Sequence, residues 1–529
     1  MQGGFLVAAS RVSKEGCCMV EWSVLFTNPS RFVPQEQEEE PDFFQNLNLD
    51  QIFKTIASSK AEYKLLPLYQ ASFPNMELIE YRQQVAKDLE KPDLYASVKH
   101  FETGMHSVRE YLTQSEKRYN TYQKESWFLD AVDRYCSTVR NFSLEIAELH
   151  PTSLGLRGIA EYLVRYVQSE YFIHLEQEIR GIKESLATIH YAVLVSGGTV
   201  RIRKYEDEID YTADVEASFK KFQTREGKSY LVSFTDSADM NSVEEKILLA
   251  VARLYPEIFN RLNSFYTVNQ VFQDQTITTF DREIQFYLAY LEHIQEFKKK
   301  GYLFCYPEIL ENDKNIEATS TFDLALAHRL SKENQNTVTN SFYLKDPERI
   351  LVVSGPNQGG KTTFARTVGQ LHYLARLGLP IPGSFAKMYL CDQIYTHFQT
   401  EEDIRNLQGK LQNDLFRAQK ILNLATERSL IIINEIFSST TMKDALFLAN
   451  KIFQKILTLD AITVCVTFLD ELSRLGPQTV SMVSTVVPES PSIRTFKIIR
   501  KPADGLAYAI FIAEKYSLTY QKILERIPQ

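Results

Sequence analysis

The run Ile350-Leu351-Val352-Val353-Ser354 leads directly into Gly355-Pro356-Asn357-Gln358-Gly359-Gly360-Lys361-Thr362, and a helical pattern follows to about Leu377. Few folds accept that order. A buried-type strand that turns through glycines into a helix belongs to a sheet whose strands are joined by crossover helices, an α/β arrangement. The spacing fits G-x-x-x-x-G-K-[ST]. Its glycines let backbone N–H groups turn inward, and the helix N-terminus adds positive dipole character, so the turn can cradle phosphates. The candidate nucleotide-binding residues are therefore Gly355, Pro356, Asn357, Gln358, Gly359, Gly360, Lys361, Thr362 and Thr363. Lys361 would reach the β- and γ-phosphates, and the Thr362 hydroxyl would bind Mg²⁺.

Around this turn, β-type runs alternate with helical segments from about Ser341 onward: Ile350–Ser354, Ser429–Ile433, Ala461–Thr467, Thr479–Val487 and Thr495–Ile499. The pattern is that of a mainly parallel sheet covered on both faces. Ligands of such sheets bind beyond the carboxyl ends of the strands. The strand ending in Asn434-Glu435 lies 74 positions past Lys361 and would bring both residues to the nucleotide. Glu435 suits a group that orients or deprotonates an attacking water. The alternative is that it merely caps the sheet edge.

The region before Ser341 reads differently. Residues 1–41 are irregular, and the acidic run from Gln35 to Asp42 closes them. Residues 42–340 read as a helical domain. Leu78, Tyr81, Val85 and Leu89 share a helix face after Pro74-Asn75, and Leu175, Ile179, Ile182, Leu186 and Ile189 have the spacing of a helix packed lengthwise on another. A short insert at about 191–240 interrupts the helices. It opens with a hairpin signal, Tyr191 to Tyr205 around Ser196-Gly197-Gly198, and residues 199–228 hold seven basic and seven acidic residues. Ser242 and Glu245 fit a capping box, and Lys298-Lys299-Lys300 before Gly301 reads as a helix terminus. The expected fold is multidomain: a long-helix, all-α core or lever domain with a small β insert, then an α/β P-loop domain over 341–529.

Composition sets limits. The net charge is −8, from 59 basic and 67 acidic residues, which is not the balance of a strongly basic nucleic-acid binder. The six cysteines form no C-x-x-C pair and the nine histidines no spaced metal cluster. No apolar run reaches the roughly 18 residues of a membrane span. A cytoplasmic protein without membrane association is the expectation.

Ser354-Gly355-Pro356-Asn357-Gln358-Gly359-Gly360-Lys361-Thr362-Thr363 resembles the T-G-P-N-M-G-G-K-S-T loop of the MutS family of DNA mismatch-repair ATPases. Leu377 to Pro382 resembles that family's I-G-x-x-V-P, Asp392 to Thr396 its D-R-I-F-T, Asn434 to Thr440 its D-E-I-G-R-G-T, and Asp504 to Ala509 its S-Y-G-L-x-V-A segment. Tyr81-Arg82-Gln83-Gln84 resembles the E-R-Q-x that opens the family's helical core. The likeness is strong over Ser341–Gln529 and weaker over Asp42–Ala318. It implies an ABC-type ATPase using ATP and Mg²⁺, and a homodimer that clamps DNA in company with repair or recombination proteins. Each nucleotide would be completed by the opposing subunit, long helices would act as levers, and residues 191–228 would form a shortened clamp tip.

The departures are informative. The family's metal-associated Asp is Asn434 here, its γ-phosphate-sensing His is Phe468, and its partner-contacting Ser aligns with Gly409, beside Lys410. ATP binding with slow hydrolysis is the expectation. Only residues 1–41 precede the core and they contain no F-x-E, so a wedge-type mismatch reader is not expected, nor is a nuclease-like domain after Gly505. Two other readings stand beside this one: an ATP-gated structural or protein-interaction module, and a small-molecule kinase, which the long helical region fits poorly.

Overall fold

A computed structural model of the chain describes residues 22–27, 40–197, 199–206, 240–399, 409–487 and 489–503, with 518, 520 and 523. The chain divides into two units. The first comprises residues up to Lys91, Thr152–Leu156 and Thr279 onward; the second comprises Pro92–Pro151 and Arg157–Thr278.

Several helices begin where a side chain accepts from the first turn. Asn75 accepts from Leu78 N, Asn120 from Tyr122 N and Gln123 N, Ser169 from Phe172 N, and Asp323 from Leu326 N. The capping box expected at Ser242 and Glu245 is shifted by one residue. Asn241 accepts from Val243 N and Glu244 N, while Glu244 reaches back to the Asn241 N–H. The asparagine carbonyl reaches the second and third amides, so it takes the cap and Ser242 becomes the first helical residue.

In the second unit, helices Pro92–Lys117 and Thr121–Glu148 lie antiparallel along their length. Phe101 and Phe142 meet at 4.5 Å between ring centroids, and Gly104 is so close to Thr138 that a Cβ would come within 2.4 Å of it. The periodic stretch around residues 156–189 is broken at Ser169 into Leu154–Val167 and Glu170–Ala187. Leu175, Ile179 and Ile182 are buried as their spacing requires, while Leu186 and Ile189 are half-buried. The hairpin pairs Tyr191–Ser196 with Thr199–Lys204, from Tyr191 opposite Lys204 to Ser196 opposite Thr199. Residues 207–239 of the expected insert lie outside the described residues.

The first unit carries the larger sheets. Its elements include α1 (Met76–Leu89), α2 (Gln275–Lys299, most of which follows the boundary at Thr279), β1 (Glu308–Leu310), β2 (Ile316–Thr321), α3 (Leu324–Lys332), β3 (Asn340–Leu344), β4 (Ile350–Ser354), α4 (Lys361–Arg376), β5 (Phe385–Tyr389), β6 (Ile394–His397), α5 (Lys410–Leu424), β7 (Leu430–Asn434), α6 (Met442–Leu459), β8 (Ile462–Val466), β9 (Thr479–Val487) and β10 (Ser490–Arg500). A six-stranded sheet runs β6-β7-β8-β4-β9-β10, parallel throughout except for the last pair. β4 and β8 are wholly buried, which is why they read as unbroken apolar runs rather than alternating ones. A four-stranded sheet, β1-β5-β2-β3, gathers segments from before and after the glycine turn. Among the described residues of this unit, strand structure therefore begins at Phe304, ahead of the change of texture at Ser341. These early strands are short and their partners are distant in sequence, so local pattern does not mark them.

Arg82 on α1 and Glu283 on α2 are buried and share one task. Arg82 donates from Nε to Leu25 O at 3.0 Å, and Glu283 accepts from Ser23 Oγ at 2.7 Å and Val24 N at 2.9 Å. They hold segment 22–27, whose Val24, Leu25 and Phe26 are buried. The lysine run ends α2 as expected, with Gly301 at φ +88 just beyond it.

Candidate functional site

The turn after β4 is closed by its own lysine. Lys361 Nζ donates to Gly355 O at 2.9 Å, Pro356 O at 3.0 Å and Asn357 Oδ1 at 3.3 Å. The side chain is buried, and that burial, helped by the nearby Arg494 charge, holds the ammonium below its ordinary pKa, while Glu435 acts in the opposite sense. Gly360 caps α4 at φ +88, a conformation that side-chain-bearing residues avoid. Gly359 is needed for a second reason: a Cβ there would lie 2.3 Å from Ser484 Oγ, whose hydroxyl donates to Gly359 O at 2.7 Å. β9 thus grips the turn from behind.

Asn434, at the end of β7, accepts the Thr362 hydroxyl proton on Oδ1 at 2.9 Å. Glu435 follows with φ +55, and Phe437 has φ +61. A cavity of about 720 Å³ opens beside the turn. Asn357, Gln358, Gly359, Gly360, Lys361, Thr362, Thr363 and Glu435 all line it. Gly355 and Pro356 instead lie behind it, as acceptors for Lys361, and Asn434 reaches it through Thr362.

The opposite wall contains residues that the sequence did not single out. It is built from Phe322, Asp323, Arg329, the segment Gln335–Val338 and Asn340, with Phe496 beside Gly360. Asn340 donates from Nδ2 to Phe496 O at 3.2 Å and accepts from Ile498 N at 2.8 Å, tying this wall to β10. Burial raises the Asp323 carboxyl above its usual range, opposed by the Leu326 N–H and Gln370. Only its capping position, ahead of an apolar helical run, marks Asp323 in the sequence.

Not every expected residue joins the cavity. Phe468 is 43% exposed and does not line it. Gly409 caps α5 without a side-chain bond, and both Gly409 and Lys410 are exposed. The segments Leu407-Gln408 and Asp504–Ala509 lie outside the described residues. Among the described residues no group of His, Cys, Asp and Glu is placed to hold a metal by itself, and no helix is long and apolar enough to cross a membrane.

The fold and site together define an α/β domain with a glycine-rich, lysine-closed turn at the carboxyl end of a central strand. A family model described as MutS domain V matches residues 351–526. DNA mismatch repair protein MutS of Chlorobium phaeovibrioides is 28% identical over 232 residues, 43% of this chain and 26% of that protein. DNA mismatch repair protein MutS of Nostoc punctiforme is 30% identical over 169 residues, 32% of this chain and 18% of that protein. DNA mismatch repair protein MSH4 of Arabidopsis thaliana is 30% identical over 147 residues, 28% of this chain and 19% of that protein. Residues 351–526 are thus similar to domain V of the MutS family, and the chain's matches span about a quarter or less of the length of these relatives.

Proposed function

We propose that the chain binds ATP in the turn at residues 355–363, hydrolyses it slowly, and couples nucleotide occupancy to the clamping of DNA by a homodimer. The observation that carries this reading is the hydrogen bond between Thr362 and Asn434, set beside a lysine-closed glycine turn and a cavity that Glu435 lines. On binding, Lys361 would exchange loop carbonyls for β- and γ-phosphate oxygens. Thr362, with Asn434 behind it, would hold Mg²⁺; hydroxyl and amide oxygens are the hard donors that this ion accepts. When bound, the ion neutralises charge on the β- and γ-oxygens. Glu435 would orient the attacking water and take its proton.

Slow turnover follows from the chemistry of three positions. Asn434 supplies an oxygen without charge, Phe468 has no polar group with which to sense a γ-phosphate, and Gly409 has no side chain to offer a partner subunit. Lys410, next in the chain, is the cation proposed to serve there. The relatives are named for DNA mismatch repair. Arg201, Arg203 and Lys204 on the exposed hairpin of the second unit supply cations suited to DNA phosphates. The long helices of that unit would act as levers, in a cytoplasmic, DNA-associated setting. A second reading, an ATP-gated structural or protein-interaction module, is favoured by the net charge of −8.

Titrating ATP against the wild-type chain and Lys361→Ala tests the first claim: wild type binds and the variant does not. Single-turnover hydrolysis, with Glu435→Ala as control, tests the second, and a rate equal to that of typical family members removes it. Titration of duplex, mismatched and branched DNA at rising salt separates the two readings. A clamp binds at low salt and weakens steeply as salt rises; no binding at low salt leaves the module.

A further inference from the structure

The turn that carries Glu435 is held in an unfavourable backbone conformation. Glu435 and Phe437 both have positive φ, although each carries a side chain that disfavours it. Strain of this kind persists only where the surroundings over-determine it. The Glu435 N–H donates to Val466 O of β8 at 2.9 Å. The Phe437 ring is fully buried, in a core cluster with Ala449 and Phe453 of α6. A further restraint comes from Gln399, two residues beyond the end of β6. Its Nε2 donates to Glu435 O at 3.0 Å and also to the Ser438 hydroxyl oxygen. One amide therefore spans the turn from Glu435 to Ser438.

We propose that Gln399 is a positioning residue for Glu435, fixing the peptide whose left-handed conformation presents the carboxylate to the cavity beside Lys361. The inference rests on the reading of Glu435 as the group that activates water. Gln399 is half-buried. Water can therefore replace its amide on the Glu435 carbonyl, so losing it costs geometry more than stability. Polarity matters as well. A carboxylate at this position presents only acceptors to a carbonyl oxygen and cannot restore the bond.

The test uses the full chain with Mg-ATP. It compares kcat, KM, nucleotide affinity and thermal midpoint for wild type, Gln399→Ala, Gln399→Glu, Glu435→Ala and the double variant Gln399→Ala/Glu435→Ala. Gln399→Ala should lower kcat about tenfold, the scale set by displacing a catalytic group a fraction of an ångström. KM, nucleotide affinity and thermal midpoint should stay close to wild type. Gln399→Glu should lose at least as much rate. In the Glu435→Ala background the Gln399 substitution should have no further effect, because the group it positions is gone. An unchanged kcat overturns the proposal, as does an equal loss with and without Glu435, or a parallel loss of ATP affinity and thermal stability. A chain that binds ATP but never turns it over overturns both the proposal and the role given to Glu435. A chain that binds no nucleotide overturns the functional reading itself.

Discussion

Thr362 and Asn434 are 72 positions apart in sequence, and their side-chain oxygens are 2.9 Å apart in the structure, joined by the Thr362 hydroxyl proton. The amide oxygen of Asn434 accepts as a carboxylate oxygen would, but without the charge. Asn434→Asp should therefore preserve the fold and raise the single-turnover rate of ATP hydrolysis about tenfold, the lower end of effects expected when partners behind a metal ligand change. Asn434→Leu, which offers no acceptor, should lower Mg²⁺-dependent nucleotide affinity. Equal rates for wild type and Asn434→Asp would show that the missing charge does not limit turnover.

The contact between Gly359 and Ser484 makes a paired prediction. Gly359→Ala places a methyl group 2.3 Å from Ser484 Oγ. The crowding should cost about 1–3 kcal/mol of stability, together with much of the nucleotide affinity. Ser484→Gly removes the obstructing hydroxymethyl group, so part of that cost should return in the double variant. A double-mutant cycle in urea reads the coupling; strictly additive effects would count against steric conflict as the cause.

Phe437 reverses a familiar order. In ordinary core positions, trimming a residue to Gly costs more than trimming it to Ala. At φ +61 an alanine retains the strain and a glycine does not. Phe437→Ala should cost about 3–5 kcal/mol through the cavity it leaves, and Phe437→Gly about 1 kcal/mol less than that. Equilibrium unfolding of both variants checks the order, and an alanine variant more stable than the glycine one contradicts the strain assignment.

His372 sits fully buried on α4, with Nδ1 against Val368 O at 2.8 Å. Burial, reinforced by Arg376 and opposed by the Val368 carbonyl, lowers its pKa to about 4. The unfolded chain titrates this group near the ordinary value of about 6.5. Between those values the unfolded state binds more protons than the folded state, so stability falls as pH drops. From about pH 6.5 to about pH 5 the loss from this group should be roughly 1.5 kcal/mol. His372→Gln should flatten that part of the profile in chemical unfolding measured across pH; an unchanged slope would show that the imidazole does not carry it.

Much of the site could be read from residues that act through local geometry. The glycine turn after an apolar run, the strand ending in Asn434-Glu435 and the helix face of Leu78, Tyr81, Val85 and Leu89 are all patterns within a few residues. The capping box was displaced by a single residue because neighbouring asparagine and serine compete for one cap, and only backbone geometry decides between them. The far wall of the cavity was not legible. Phe322, Arg329, Asn340 and Phe496 share no pattern until β3 and β10 bring them together.

By itself the sequence determined that a buried strand must end in a glycine turn opening a helix, and that a second strand must deliver an acid near it. Backbone sterics and side-chain periodicity act over short distances and are written into adjacent residues. The tertiary structure alone decided that Ser484 braces Gly359, that Asn340 ties the cavity wall to β10, and that Gln399 spans the turn carrying Glu435. These are single hydrogen bonds between segments far apart in the chain. Their partners are chosen by strand order and register, which no local pattern encodes.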